Sequence, residues 1–218
     1  MRTFRAAASA IGLMFLVALP ASAQGPRGGF MGGPAALLSN KSVQKELKLD
    51  EGQSEKLGKL AQDIREKQRE AFSGLQDLSQ EERRSKMGET MRTLNAEVDK
   101  SLAEVLKAEQ LKRYHEIGHQ IRGAGAFTDP KVAESLKLTE EQKSSIRTLL
   151  TDQQSAMREI FPTLQDDREA GMKKIQTLQK ETKEKALAVL TADQKKTWET
   201  MVGAPFEFVP EPPPPRNN

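Results

Sequence analysis

The only two histidines of this chain stand four residues apart, in His115-Glu116-Ile117-Gly118-His119. On a helix, positions i and i+4 share a face. Two imidazoles so placed could hold zinc or another divalent ion, with Glu116 as a general base. With no further histidine, the third ligand would have to be a carboxylate, for which Glu134 is the candidate. Gly118 interrupts the pattern, a Gly-rich stretch follows at once, and no strand is in sight to hold a substrate for a zinc protease. The pair therefore reads as solvated histidines near a helix C-terminus, where positive charge is welcome. No metal or other cofactor is expected. Met87 and Met91 lie one turn apart and could hold Cu(I) through their thioethers. They continue an apolar stripe, which makes them packing residues instead. The absence of cysteine excludes disulfides, thiolate metal sites and thiol nucleophiles. There is no G-x-x-x-x-G-K-[ST] phosphate loop, and the plentiful carboxylates follow the spacing of exposed helix faces. The expectation is a protein that is not an enzyme.

A second set of residues recurs with a fixed spacing. In Leu138-Thr139-Glu140-Glu141-Gln142 and Leu190-Thr191-Ala192-Asp193-Gln194 the threonine can cap a helix. The glutamine three residues on can reach back to the threonine N–H, forming a capping box. Leu49-Asp50 with Gln53 is a close variant, since Asp also caps well. Leu106-Lys107 with Gln110 is the poor member, because an ammonium has no lone pair to offer. By themselves these residues set sharp turns, with the leucine anchoring each turn.

The elements that would carry these turns are helices. Leu57, Leu60, Ile64, Ala71, Phe72 and Leu75 fall near one face. Met87, Met91, Leu94, Val98, Leu102 and Val105 step by threes and fours, as do Ile146, Leu149, Leu150, Met157, Ile160 and Phe161. Met172, Ile175, Leu178, Ala186 and Val189 form a fourth stripe, weaker around Thr182. Narrow stripes with charged flanks predict an all-α fold of long helical hairpins with coiled-coil-like packing. Asp77-Leu78-Ser79 with Glu82 predicts the start of one long helix, and Pro162 near Asp166-Asp167 a break in the second half. The segment 43–53 aligns with 132–142, and 105–110 with 189–194, so the chain is a tandem repeat. Each half reads as short helix, motif, long hairpin, motif, short helix. The expected units are 35–122 and 129–202, joined by a Gly-rich linker at 123–128, with Asp129-Pro130 opening the next helix. Trp198 and Tyr114 occupy matching places and are expected to anchor the closing helices.

The ends differ in kind. Residues 1–23 carry Arg2 and Arg5, an apolar run from Ala6 to Leu19 and Ala21-Ser22-Ala23. This reads as a secretory signal peptide cleaved near Ala23-Gln24, giving a periplasmic or secreted protein. Residues 24–34 read as a Gly/Pro-rich flexible leader and 203–218, with the run Pro212–Pro215, as a disordered tail. The full chain has 34 basic and 31 acidic residues, net +3. Loss of two arginines with the signal leaves 32 against 31, net +1. The clusters Arg65-Lys67-Arg69, Arg83-Arg84-Lys86 and Lys195-Lys196 are interleaved or flanked with acids, so they read as solvated faces and nucleic acid is not an expected partner. With 36% hydrophobic and 5% aromatic residues in 218, a compact α/β enzyme is disfavoured and thin exposed helices are favoured.

The four spaced motifs resemble the LTxxQ motifs of the Spy/CpxP family of periplasmic proteins, over roughly residues 35–202. The resemblance implies thin, curved helical hairpins, and a function among ATP-independent chaperones, envelope-stress regulators and metal-responsive sensors. Relatives of this kind carry one motif pair and dimerise into a cradle. Two pairs in one chain imply a single-chain pseudo-dimer or a homodimer. The function so implied is reversible binding of unfolded or partly folded envelope proteins. The alternatives are a metal- or stress-responsive regulator of a membrane signalling protein, and an architectural envelope protein.

Overall fold

The computed structural model describes residues 33–75 and 78–209. The expected signal peptide and the leader up to residue 32 lie outside the described residues, as do Asp77 and the run Pro212–Pro215. Among the described residues every regular element is helical: α1 (Pro34–Ser39), α2 (Lys41–Glu46), α3 (Glu51–Ser73), α4 (Gln80–Val105), α5 (Ala108–Arg122), a 3-10 helix η1 (Gly123–Thr128), α6 (Pro130–Ser135), α7 (Glu140–Asp166), α8 (Arg168–Ala188) and α9 (Ala192–Val202). The fold is all-α.

The two halves repeat each other element by element. α2 and α6 both end in a reversal that places a lysine in the left-handed region, Lys48 at φ 50° and Lys137 at φ 51°. Lys48 N–H donates to the Lys45 carbonyl and Leu49 N–H to that of Gln44; Lys137 and Leu138 do the same to Glu134 and Ala133. This is the Schellman closure, made with lysine where glycine is usual. The left-handed turn costs each lysine about 1 kcal/mol. It swings Leu49 and Leu138 inward and sets the motif at the start of the next helix. At the head of α2, Asn40 is buried, and its Oδ1 accepts from Ser42 N–H at 2.9 Å and Val43 N–H at 3.1 Å. Asp129 holds the corresponding position before α6 and caps Lys131 N–H.

Hairpin α3–α4 and hairpin α7–α8 each pack on their own short helices, which yields two cores. The first gathers Leu37, Leu38, Val43, Leu57, Ala61, Ile64, Val98, Leu102 and Ile117 with Tyr114. The second gathers Phe127, Val132, Leu136, Ile146, Ala186 and Leu190 with Trp198. Only the base of each hairpin lies in a core. Beyond Ile64 and Ile146 the paired helices have no third layer, so Met157, Ile160 and Ile175 are only half-buried. Thr182, where the fourth stripe weakens, is buried opposite this base and donates to the Leu178 carbonyl at 2.8 Å.

Three expectations are corrected. Residues 123–128 are not a linker: η1 buries Ala124, Ala126 and Phe127 in the second core, with Gly123 at φ 52° making the turn out of α5. Small residues let this segment approach closely, and one phenylalanine anchors it. Pro162 does not break the helix. α7 runs through it to Asp166, because a single missing donor near an exposed helix end is tolerated. The break falls at Asp167, which caps Ala170 N–H of α8 at 3.0 Å. Finally, the tail does not leave the fold at 203: residues 203–209 lie extended against the first half, with Phe206 and Phe208 packed on its core.

The one-residue break between α7 and α8 needs Gly171. A Cβ there would lie 2.7 Å from Leu164 Cδ2 and 2.9 Å from its Cα. Alanine would gain about 1 kcal/mol of helix propensity but lose about 1–3 kcal/mol to the clash. We therefore expect Gly171→Ala to destabilise the protein by about 1 kcal/mol in urea unfolding, and a stabilised variant would show that the hairpin tip is loose.

Candidate functional site

The repeated motifs come together in pairs. Gln53 and Gln110 face each other across the base of the first hairpin, although 57 residues separate them. Gln53 Nε2 donates to the Val105 carbonyl and to Gln110 Oε1, both at 2.9 Å. Gln110 Nε2 donates to the Leu47 carbonyl at 3.0 Å and to Gln53 Oε1 at 3.1 Å. Each Oε1 also accepts from the backbone N–H at the head of its own helix, Asp50 and Lys107. The second half repeats the clasp. Gln142 donates to the Val189 carbonyl at 2.9 Å and Gln194 Oε1 at 2.7 Å, and Gln194 returns a bond to Gln142 Oε1 at 3.0 Å. The backbone N–H groups of Thr139 and Thr191 donate to Gln142 Oε1 and Gln194 Oε1, the back-bonds of the two boxes. Asp50, Thr139 and Thr191 complete their boxes; Lys107 has no side-chain cap and forms only the half that Gln110 supplies. Of the motif leucines, Leu106, Leu138 and Leu190 are buried and Leu49 packs half-buried on the first core. The amide pairing is what the sequence pattern alone did not disclose. Its signal was the presence of glutamine, never glutamate, at all four third positions: a carboxylate could accept but not donate.

The histidines lie where the halves meet. α5 packs on α9 and on η1. His119 sits 5.8 Å from the Trp198 ring, which meets Phe127 at 4.5 Å with the rings tilted by 53°. Its Nδ1 is 3.2 Å from Arg122 Nη2, and a guanidinium only donates, so Nδ1 carries the lone pair. Arg122 continues to Asp129 at 3.0 Å. Burial alone would raise the Asp129 carboxyl, but the Arg122 contact and the α6 backbone donors bring it below its ordinary value. His115 lies edge-on to Tyr114 at 5.6 Å. Burial, followed by Arg122 and His115, pushes His119 down to about 4, and burial lowers His115 as well. Neither histidine is the solvated residue expected of it: both are half-buried in the seam. Glu134 is exposed, and among the described residues no group of three His, Asp or Glu side chains is placed to hold a metal ion. Glu116 pairs with Arg113 at 2.9 Å instead of facing a reaction centre.

The remaining candidate surface is apolar. Phe72 (48% exposed), Phe161 (40%) and Met172 (37%) are exposed on the outer parts of the two hairpins. Phe72 borders a shallow dimple with Ala71, Leu75, Met87, Met91 and Leu94. Met87 and Met91, expected as core, are half-buried in this surface because no third helix covers it. Among the described residues no helix is long and apolar enough to cross a membrane. No family model matches the chain, and no curated protein or solved structure matches it either.

Two predictions follow from this geometry. Thr139→Ala loses one cap, about 1 kcal/mol. Gln142→Ala also strands the Val189 carbonyl and the Gln194 amide, at about 1–3 kcal/mol for the groups left unpaired. Gln142→Ala should therefore cost clearly more than Thr139→Ala in urea unfolding. The double variant Gln142→Ala/Gln194→Ala should cost less than the sum of the singles; strict additivity would mean the clasp is not a unit. The histidines give a pH dependence. The unfolded chain binds a proton near 6.5, the folded His119 only near 4, so between them the unfolded state holds more protons and stability falls as pH falls. His119 faces Arg122, His115, Glu116 and Asp129, so the other charges nearby are already paired or share its element. Tm should be lower at pH 5 than at pH 7.5, and His119→Gln should shrink that difference. An undiminished difference would place the acid sensitivity elsewhere.

Proposed function

We propose that this chain is an exported helical binding protein of the Spy/CpxP kind, which holds unfolded or partly folded envelope proteins reversibly, without ATP and without catalysis. The observation that carries it is the apolar surface at the outer ends of both hairpins. Phe72, Phe161 and Met172 are exposed there among side chains of both charges. Apolar patches of this sort, unsatisfied in a monomer, suit contact with another chain. Methionines at the border, Met87 and Met91, add side chains that adapt to many shapes. The mobile Lys, Arg and Glu residues around them would attract clients over a distance, and the shallow apolar contact would release them. The interlocked halves support the pseudo-dimer arrangement, since α5 of one repeat and α9 of the other pack together within one chain. Arg122 already occupies His119 Nδ1, which leaves the metal-responsive alternative without support from the geometry.

The test is suppression of aggregation of a denatured reporter protein, followed by light scattering without ATP, with and without a chelator. Suppression near equimolar ratio and indifferent to chelator is expected. Phe72→Ser/Phe161→Ser should weaken it by about fivefold, as roughly 1 kcal/mol of lost apolar contact implies. No suppression by the wild-type protein at large excess would overturn the proposal.

A further inference from the structure

The segment 203–209 is held by clamps on its main chain and by seats for two of its side chains. Among the described residues, the hydrogen bonds that hold it are made to its main chain. Gln120 Nε2 donates to the carbonyls of Val202 and Ala204, and Gln120 Oε1 accepts from Phe206 N–H at 2.8 Å. Arg113 Nη1 donates to the Ala204 carbonyl at 2.8 Å. At the far end Asn40 Nδ2 donates to the Val209 carbonyl at 2.7 Å, and Val209 N–H donates to Ser42 Oγ at 3.4 Å. Between these clamps the side chains alternate. Phe206 and Phe208 turn onto the first core, while Glu207 and Val209 face out. Gly203, at φ 60°, makes the entry possible, because a Cβ there would fall 2.2 Å from the Glu116 carboxylate.

Clamps on the backbone combined with seats for alternate side chains are the two elements of extended-peptide recognition. We propose that the groove formed by α5 and the α1–α2 corner is a peptide-binding site. Its own tail occupies it in cis, and in trans it takes an extended segment with aromatic side chains two residues apart. Such segments are core strands of unfolded proteins, so the proposal rests on the client-binding reading and names the client class. The tethered tail competes at a local concentration on the order of millimolar, which makes the site weak for strangers until the tail is loosened.

The probe is a labelled peptide of residues 203–211, GAPFEFVPE, followed by fluorescence anisotropy. Phe206→Ala/Phe208→Ala in the protein weakens the competitor and should tighten binding of the peptide at least tenfold. A peptide with both phenylalanines replaced by alanine should bind at least tenfold more weakly. Equal affinity for wild type and variant, or indifference to the phenylalanines of the peptide, would overturn the proposal. Should the variant fail to fold by circular dichroism, hydrogen exchange on the wild-type protein decides. Added peptide should accelerate exchange at the Phe206 and Val209 amides, and unchanged exchange would sink the idea. Aggregation assays on the same proteins separate the two proposals. Peptide binding without any aggregation suppression leaves the groove and removes the chaperone; suppression without peptide binding does the reverse.

Discussion

Each repeat is closed by two glutamine side chains that share one pair of amide hydrogen bonds. The amide is the one side-chain group that can cap its own helix through oxygen while donating twice through nitrogen. At Gln53 and Gln142 the donors reach the last carbonyls of the opposite hairpin arm, at Val105 and Val189. Both ends of each long hairpin are thereby fixed in register. The left-handed lysines, the buried leucines and the closing aromatics Tyr114 and Trp198 all take their places from this junction. A polar clasp suits a chain of this composition, which has too few large apolar residues to set register by packing along the whole hairpin.

The halves are then joined by exchange of short segments. η1 leaves α5 and enters the second core, where Phe127 meets Trp198. Residues 203–209 leave α9 and reach the first core. Gly123 and Gly203 permit the two turns, both at positive φ. What would otherwise be two marginal helical units, each with a small core, become one interlocked body. The cost of this economy is that the outer hairpins stay two helices thick, and their apolar edges meet solvent. That same shortage of covering layers is what recommends them as a binding surface.

The seam explains why the histidines mislead as a motif. Their spacing of four is required for metal binding but is equally the spacing of a packed helix face. Here Ile117 and Gly118 between them are buried, His119 lies against Trp198 of α9, and His115 lies edge-on to Tyr114. Arg122 fixes the tautomer of His119 through a hydrogen bond three residues away on the same helix, a relation visible in the sequence only as spacing.

The helical class, the tandem repeat and the caps at Asp50, Ser79, Thr139 and Thr191 were legible in the residues themselves; that only the base of each stripe is core was not. The legible features are local: periodicity and capping act within a few positions of the chain. Three further features were decided only in three dimensions. The glutamines pair across more than fifty residues, the Gly-rich stretch at 123–128 becomes core, and the start of the tail becomes a strap. Composition marks such segments as loose because it reports how little they can bury alone. It is silent on an apolar surface supplied from elsewhere in the chain, and in this protein each of these segments is ordered by the other repeat's helices or by side chains that only the tertiary fold brings near.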